Sequence, residues 1–290
     1  MAAPRKHPFH YAIAIPASFV SDIPHLREKT FRIGLIGRAA AMFRVDEIII
    51  YPDMPNVNQR EDVGLVQAVL SYMETPQYLR RRLFKLVPEL QYAGTLPPLR
   101  TPHHPTANKT SDLRQGEFRE GAVISTSNEG SLIDIGVEQP ALLREVKLKA
   151  NSRMSVRVSA VNKRPEVTLA EKRDIETYWG YNVAVSNVPF GQFLKARQFD
   201  LVIATSRRGR QIKEVMNDLA NKLRTSHSVL TAFGAPSQGL YEVAARGQAK
   251  LDDVVDFVIN TIPSQATETV RTEEAVYASL SILNTLSNAS

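Results

Sequence analysis

The chain changes its hydrophobic rhythm twice, and that change limits the possible folds more than any single motif does. At first, short apolar runs alternate with stretches of helical spacing. Tyr11–Ile15 reads as a buried strand closed by Pro16, and Ile48–Tyr51 as another closed by Pro52. Between them, Ser21 or Asp22 is placed to cap a helix with Pro24 in its first turn. That helix is expected to reach about Phe43, with IGLIGRAAAMFR as its apolar second half. Val63, Val66, Leu70 and Met73 fall on one face of a third segment, and a further helix over Gln77–Leu86 carries Arg80, Arg81 and Arg82. Strand–helix alternation of this kind builds a parallel sheet.

The rhythm breaks at a stretch holding Pro97, Pro98, Pro102 and Pro105, which marks a boundary. From Gly116 to Leu169 the pattern is short strands and turns. Gly121–Thr126 and Ser131–Val137 flank an Asn128–Gly130 turn, Arg153–Val161 alternates, and Glu166–Leu169 ends the set. Short, closely spaced strands predict a small barrel, with an OB-fold the obvious candidate. After Ala170 the strand–helix rhythm returns. Strands are expected at Asn182–Val185, Leu201–Thr205, Val229–Phe233 and Phe257–Asn260. Helices are expected at Gly191–Arg197, Gln211–Leu223 and Glu273–Leu286, with a short helix or turn at Leu251–Val255. The fold class is therefore α/β with a parallel sheet, and the barrel is inserted rather than appended. The division reads 1–92 with 171–290 for the α/β domain and 93–170 for the insert.

Charge and missing residue types narrow the function. The net charge of +6 suits a polyanionic partner. Between Ala141 and Pro165, Arg144, Lys147, Lys149, Arg153, Arg157, Lys163 and Arg164 are opposed by Glu145 alone. On a barrel such a run tracks a phosphate backbone; the plain alternative is a solvated face. There is no cysteine, which removes disulfides, thiolate metal sites and cysteine nucleophiles and fits a reducing cytoplasm. No apolar run reaches membrane-spanning length, and the N-terminal residues lack the pattern of a cleaved leader. His103–His104 has no partner at ligand spacing, so it is read as solvent-exposed and no metal is assigned. Neither a nucleophile elbow nor a P-loop lysine is present.

Three strand ends converge in the C-terminal half: Thr205–Gly209, Phe233–Leu240 and Asn260–Thr269. They are rich in Gly, Pro, Ser, Thr and Gln. Such turns present backbone N–H and C=O groups without bulky side chains in the way, which suits a ligand with many donors and acceptors, such as an adenosine. In open α/β sheets these strand ends are also where ligands bind.

Two strings there, FGAPSQGL from Phe233 and NTIPSQATETVRTEEA from Asn260, resemble the SPOUT family of RNA methyltransferases. The match is to an archaeal and eukaryotic branch that carries an inserted nucleic-acid-binding barrel, and it covers nearly the whole chain. The resemblance implies a C-terminal trefoil knot, a rare topology. It implies S-adenosylmethionine held bent among the three loops, and a homodimer with both sites near the interface. The residues it implies for the donor are Thr205, Ser206 and Arg208; Phe233, Gly234, Gly239 and Leu240; and Asn260, Thr261, Ile262, Pro263, Gln265 and Thr267. Arg271 is the first candidate for contacting substrate, or else an ordinary surface arginine. Arg38 and Arg44, charges in apolar company, either reach RNA or snorkel from a packed helix. With Arg153, Arg157, Lys163 and Arg164 they make the expected RNA-binding set. Glu273 and Glu274 are candidate bases, though acids at a helix N-terminus explain them more simply.

The expected function is methylation of ribosomal RNA, with N3 of a uridine as the atom. The alternatives are methylation of tRNA, or a non-catalytic RNA-binding or ribosome-assembly protein that keeps the fold.

Overall fold

The computed structural model describes residues 4–54, 56–196, 198–235 and 237–288. The chain starts with strand β1 (His10–Pro16) and a short 3₁₀ turn at Ala17–Val20. Helix α1 (Leu26–Met42) follows, then strand β2 (Glu47–Tyr51). Next come helices α2 (Arg60–Glu74) and α3 (Gln77–Leu83). The short strands are β3 (Phe118–Ser127), β4 (Gly130–Asp134), β5 (Ala141–Arg144), β6 (Arg153–Ala160) and β7 (Glu166–Ala170). Alternation then resumes with β8 (Asn182–Val185), α4 (Phe190–Lys195), β9 (Leu201–Gln211) and α5 (Ile212–Thr225). It ends with β10 (Ser228–Ala232), α6 (Leu240–Arg246), α7 (Leu251–Val254), β11 (Phe257–Asn260) and α8 (Thr272–Asn288).

Two compact units emerge. One holds the described residues up to Lys6, together with Glu74–Val87 and Leu99–Gly180; the other holds His7–Met73, Pro88–Pro98 and the chain from Tyr181 onward. The second unit is built on a six-stranded sheet in the order β11-β9-β10-β1-β2-β8, every pair parallel. β1 is buried at Tyr11 through Pro16, because both faces of the sheet are covered. On one face Ala12, Ala14, Ile49, Val202 and Leu230 pack with Phe190, Leu194, Leu240, Val243 and Leu251 from α4, α6 and α7. Tyr11, Ile13 and Ile15 point the other way by strand alternation. Helices α1, α5 and α8 pack together and bury Ile33, Ile36, Leu219, Val276, Leu280 and Leu283.

In the first unit, strands β3-β4-β5-β7-β6 close into a barrel. Its interior is Val123, Ile133, Ile135, Ala141, Leu143, Val156, Val158 and Val167, supplied by alternate positions of each strand. The Asn128–Gly130 turn joins β3 to β4 as an antiparallel hairpin.

Several expectations are corrected. Neither Ser21 nor Asp22 caps α1. The chain first makes its 3₁₀ turn, Ser21 Oγ donates to Asp62, and the helix starts at Leu26, after Pro24. The Gln77–Leu86 helix stops at Leu83, since Phe84 turns extended. β5 and α6 had not been anticipated. β9 runs six residues past Thr205, for a reason that shapes the site. Arg197, the expected end of α4, lies outside the described residues.

Candidate functional site

The strand–helix unit presents three segments at one end of its sheet. The first arises from a slip in pairing. β11 residues Val258 and Ile259 are consecutive, yet they pair with Ala204 and Arg210 of β9. Thr205–Gly209 therefore leaves the ladder between two adjacent anchor points. A Cβ at Gly209 would stand 2.7–2.8 Å from backbone atoms of Val258 and Ile259, so only glycine lets the strand rejoin there. The excursion is pinned by its neighbours: Thr205 Oγ1 donates to Ala232 O (3.0 Å) and Asn260 Nδ2 donates to Arg207 O (3.1 Å).

The second segment follows β10. Phe233 N–H donates to Ala14 O (2.9 Å), and its carbonyl accepts from Tyr51 Oη (2.5 Å). The Gly234 carbonyl accepts from Thr272 Oγ1 (3.0 Å) at the start of α8. Pro236 lies outside the described residues. The third segment, after β11, is held by Asn260 Oδ1 accepting from Ile262 N–H (3.0 Å) and by a Thr261–Ser279 hydroxyl pair (2.8 Å). Gln265 donates to the carbonyls of Thr267 and Glu268, and Arg207 donates to the latter as well. Glu274 caps α8 by accepting from Arg271 N–H (2.9 Å).

Together the segments enclose a cavity of about 560 Å³. Of the residues expected to hold a donor, Thr205, Ser206, Arg208, Gly234, Gly239, Asn260, Thr261, Ile262 and Gln265 line it. Phe233 and Leu240 are fully buried behind the wall, while Pro263 and Thr267 face outward. Arg207 and Glu268, inside the expected loops but not singled out, also line it, as do Glu242 and Thr272, which lie outside them. Glu242 belongs to the first turn of α6, whose brevity hid it; Arg207 and Glu268 read as loop charges. The mouth is polar and charged: Arg208 pairs with Glu242 and lies 4.7 Å over the Tyr241 ring. Arg271 stands outside the lining, with its guanidinium 3.9 Å from Asp22. Glu273 is buried and paired with Arg32 (3.1 Å).

Compared with known proteins, residues 10–283 match a family model described as "Putative RNA methyltransferase". The chain belongs to this RNA methyltransferase family. A mouse relative named 28S rRNA (uridine-N(3))-methyltransferase is 31% identical, over 95% of this chain and 76% of its own length. A human relative of the same name is 30% identical, over 96% of this chain and 79% of its own. An uncharacterized protein of Haloarcula marismortui is 32% identical, over 94% of this chain and 98% of its own.

The basic residues of this methyltransferase divide by their surroundings. The run on the barrel is less lopsided than its sequence window, because partners arrive from outside it. Arg144 pairs with Glu166, and Arg164 lies 3.4 Å from Glu129. Arg153 is the extreme case. It donates to Glu74 (2.6 Å) and Glu120 (2.7 Å), two buried carboxylates, while Glu120 also accepts from Ser155 and from Trp179 Nε1. Burial alone would raise the Glu74 carboxyl; the His103 hydrogen bond and the Arg153 charge outweigh it and hold it well below the usual carboxylate range. Arg157 is exposed beside the Phe118 ring, 5.8 Å from its centroid. Lys147, Lys149 and Lys163 are exposed and form no ion pair among the described residues. On α1, Arg38 donates to Pro98 O (2.5 Å); just past it, Arg44 donates to Asn284 (2.6 Å).

His103–His104 is a further correction. His103 is fully buried, with Nε2 3.0 Å from the Glu74 carbonyl, and His104 Nε2 lies 2.6 Å from the same oxygen. The pair closes the end of α2 instead of facing water.

Proposed function

We propose that this chain methylates N3 of a uridine in ribosomal RNA, the reaction for which its mouse and human relatives are named, and that S-adenosylmethionine is the methyl donor. The observation that carries the reading is the cavity: three backbone-rich segments meet at one end of a parallel sheet, in a chain of this family. The donor set fits an adenosine and a short amino-acid tail. Gly234 leaves room where a Cβ would come within 3.2–3.4 Å of the Gln238–Leu240 backbone, and Asn260, Thr261 and Gln265 offer amide and hydroxyl groups. When bound, S-adenosylmethionine supplies a methyl already activated on a sulfonium. The chain's own task is alignment: the pinned excursion and the Gly234 turn fix the cavity's shape, and alignment of reactants is worth several kcal/mol. As the uracil nitrogen forms its bond to the methyl carbon, the carbon–sulfur bond breaks with its electron pair going to sulfur. The N3 proton leaves to solvent or a nearby acceptor. Arg271, at the head of α8, is proposed to contact the substrate.

The same reading covers the architecture. The excursion and the loops after β10 and β11 form the SPOUT trefoil knot. The closed barrel, residues 93–170 in the sequence division, serves as an OB-fold that grips RNA through Arg157, Lys147, Lys149 and Lys163. Two copies associate as a homodimer in the cytoplasm. No helix among the described residues is long and apolar enough to cross a membrane.

Two measurements test this. Calorimetry with S-adenosylhomocysteine should show binding that Gly234→Val abolishes; no binding by the unaltered chain at high micromolar ligand ends the enzyme reading. Nucleoside mass spectrometry of RNA from a deletion strain should show 3-methyluridine missing from ribosomal RNA. Loss from transfer RNA instead would reassign the substrate.

A further inference from the structure

A second hollow in the strand–helix unit takes no part in the chemistry above. It is an open hollow of about 800 Å³ where the start of α1 meets the Pro88–Pro98 segment, with His25, Arg27, Glu28 and Phe31 on one side and Tyr92 and Thr95 on the other. Phe31 is 47% exposed. Among the described residues, none of the three rings stacks on another ring. The side chains of His25, Arg27 and Tyr92 likewise form no hydrogen bond or ion pair there. Glu28 is the one acid in the wall, and Arg32 neutralises it (2.7 Å). Three uncommitted rings and a free guanidinium are the equipment that stacks a planar heteroaromatic base and meets its phosphate.

Its position supports the same conclusion. Arg32 forks between Glu28 in the hollow's wall and Glu273, the residue next to Thr272 in the wall of the donor cavity. Arg271 reaches toward Asp22, three residues before His25. The Arg32 fork thus links a wall residue of this hollow to the residue next to a wall residue of the donor cavity.

We propose that the hollow formed by His25, Arg27, Phe31 and Tyr92 seats an unpaired base of the RNA substrate by stacking, and so holds the strand beside the methyl-donor cavity. This rests on the methyltransferase reading and deepens it. Paired RNA cannot enter, because its bases have no free faces.

The test uses the full chain and a short uridine-rich single-stranded RNA carrying one 2-aminopurine, with the same sequence as a duplex for comparison. Stacking in the hollow quenches the probe. Phe31→Ser and Arg27→Glu, both at exposed positions, and the double variant Phe31→Ala with Tyr92→Ala should restore emission. They should also weaken single-strand binding by roughly 5- to 150-fold, the range a lost base–aromatic stack produces. S-adenosylhomocysteine affinity and sedimentation should not change. Unaltered quenching and affinity in the Phe31→Ser and Arg27→Glu variants overturn the proposal while leaving the enzyme reading intact. So does a change of oligomeric state in these variants, which assigns the hollow to contacts between copies. If the unaltered chain binds neither RNA nor S-adenosylhomocysteine, both readings fall together.

Discussion

A methyl group added at Gly209 would press on the backbone at Val258 and Ile259, where no side chain can rotate away. Gly209→Ala should therefore cost about 1–3 kcal/mol, as overpacking does, and should lower S-adenosylhomocysteine affinity because the excursion can no longer rejoin its strand. A melting curve and a titration on one sample check both effects. The barrel arginines supply a second contrast. Removing Arg153 strands two buried carboxylates, so Arg153→Glu should destabilise strongly, on the order of 3–5 kcal/mol. Arg157→Glu should leave the melting temperature nearly unchanged and lower the slope of log affinity against log salt by about one. Equal melting losses in the two variants would contradict the division between the structural Arg153 and the proposed RNA contact Arg157. The sequence could not make that division, because Glu74 and Glu120 are remote from Arg153 along the chain.

At the scale of elements, Tyr51 ties β2 to the turn after β10 through the Phe233 carbonyl. Tyr51→Phe leaves that buried acceptor without its partner. It should cost about 1–3 kcal/mol and raise the S-adenosylhomocysteine dissociation constant, read by calorimetry at a temperature where the variant is folded. The elements easiest to find in the sequence were those whose apolar run ends abruptly. β10 and β11 stop at Gly and Pro turns, and the β3–β4 hairpin is marked by its Asn128–Gly130 corner. β5 escaped because only Ala141, Leu142 and Leu143 precede a charged run, and α6 because it makes barely two turns after Gly239. The start of α1 was misplaced because Ser21 uses its hydroxyl on Asp62, a partner from another helix. Most of the cavity lining was legible, since Gly and Asn at strand ends announce it. Glu242 was not, because it sits on the short helix α6, and Arg207, though inside an expected loop, was not singled out because a loop charge reads the same whether or not it faces a hollow.

For the whole molecule, acid should be the weak direction. Burial, assisted by the Arg44 charge, lowers His7 to about 4; burial and the neighbouring His103 lower His104 to about 4. Their folded values lie below the ordinary 6.5, so the unfolded chain takes up protons first and stability drains as pH falls from about 6.5 to 4. Buried His7 alone contributes on the order of 3 kcal/mol across that window. Glu74 acts in the same direction lower down: its depressed carboxyl contributes stability above the ordinary carboxylate value, and that is lost as pH falls toward its folded one. Because His7 belongs to the strand–helix unit and His104 to the barrel unit, both should lose stability over the same range. Denaturant titrations at several pH values should show this, and His7→Phe should flatten the dependence between 6.5 and 4. The net charge and the alternation of strands and helices were enough to suggest an α/β protein with a polyanionic partner; RNA followed from the resemblance carried by the two loop strings. The pairing that buries His103 and His104 was not legible, because its acceptor is a main-chain oxygen at the end of a helix.

The pairing jump on β9 has an evolutionary consequence. Because Ala204 and Arg210 are clamped to neighbouring positions on one strand, and Gly209 must stay glycine for the strand to rejoin, the remaining span Thr205–Arg208 can lengthen, shorten or change composition without moving the sheet that supports it. With the donor cavity as proposed, variation in substrate preference or donor affinity among kindred enzymes can accumulate in those four residues, while the scaffold beneath stays as it is.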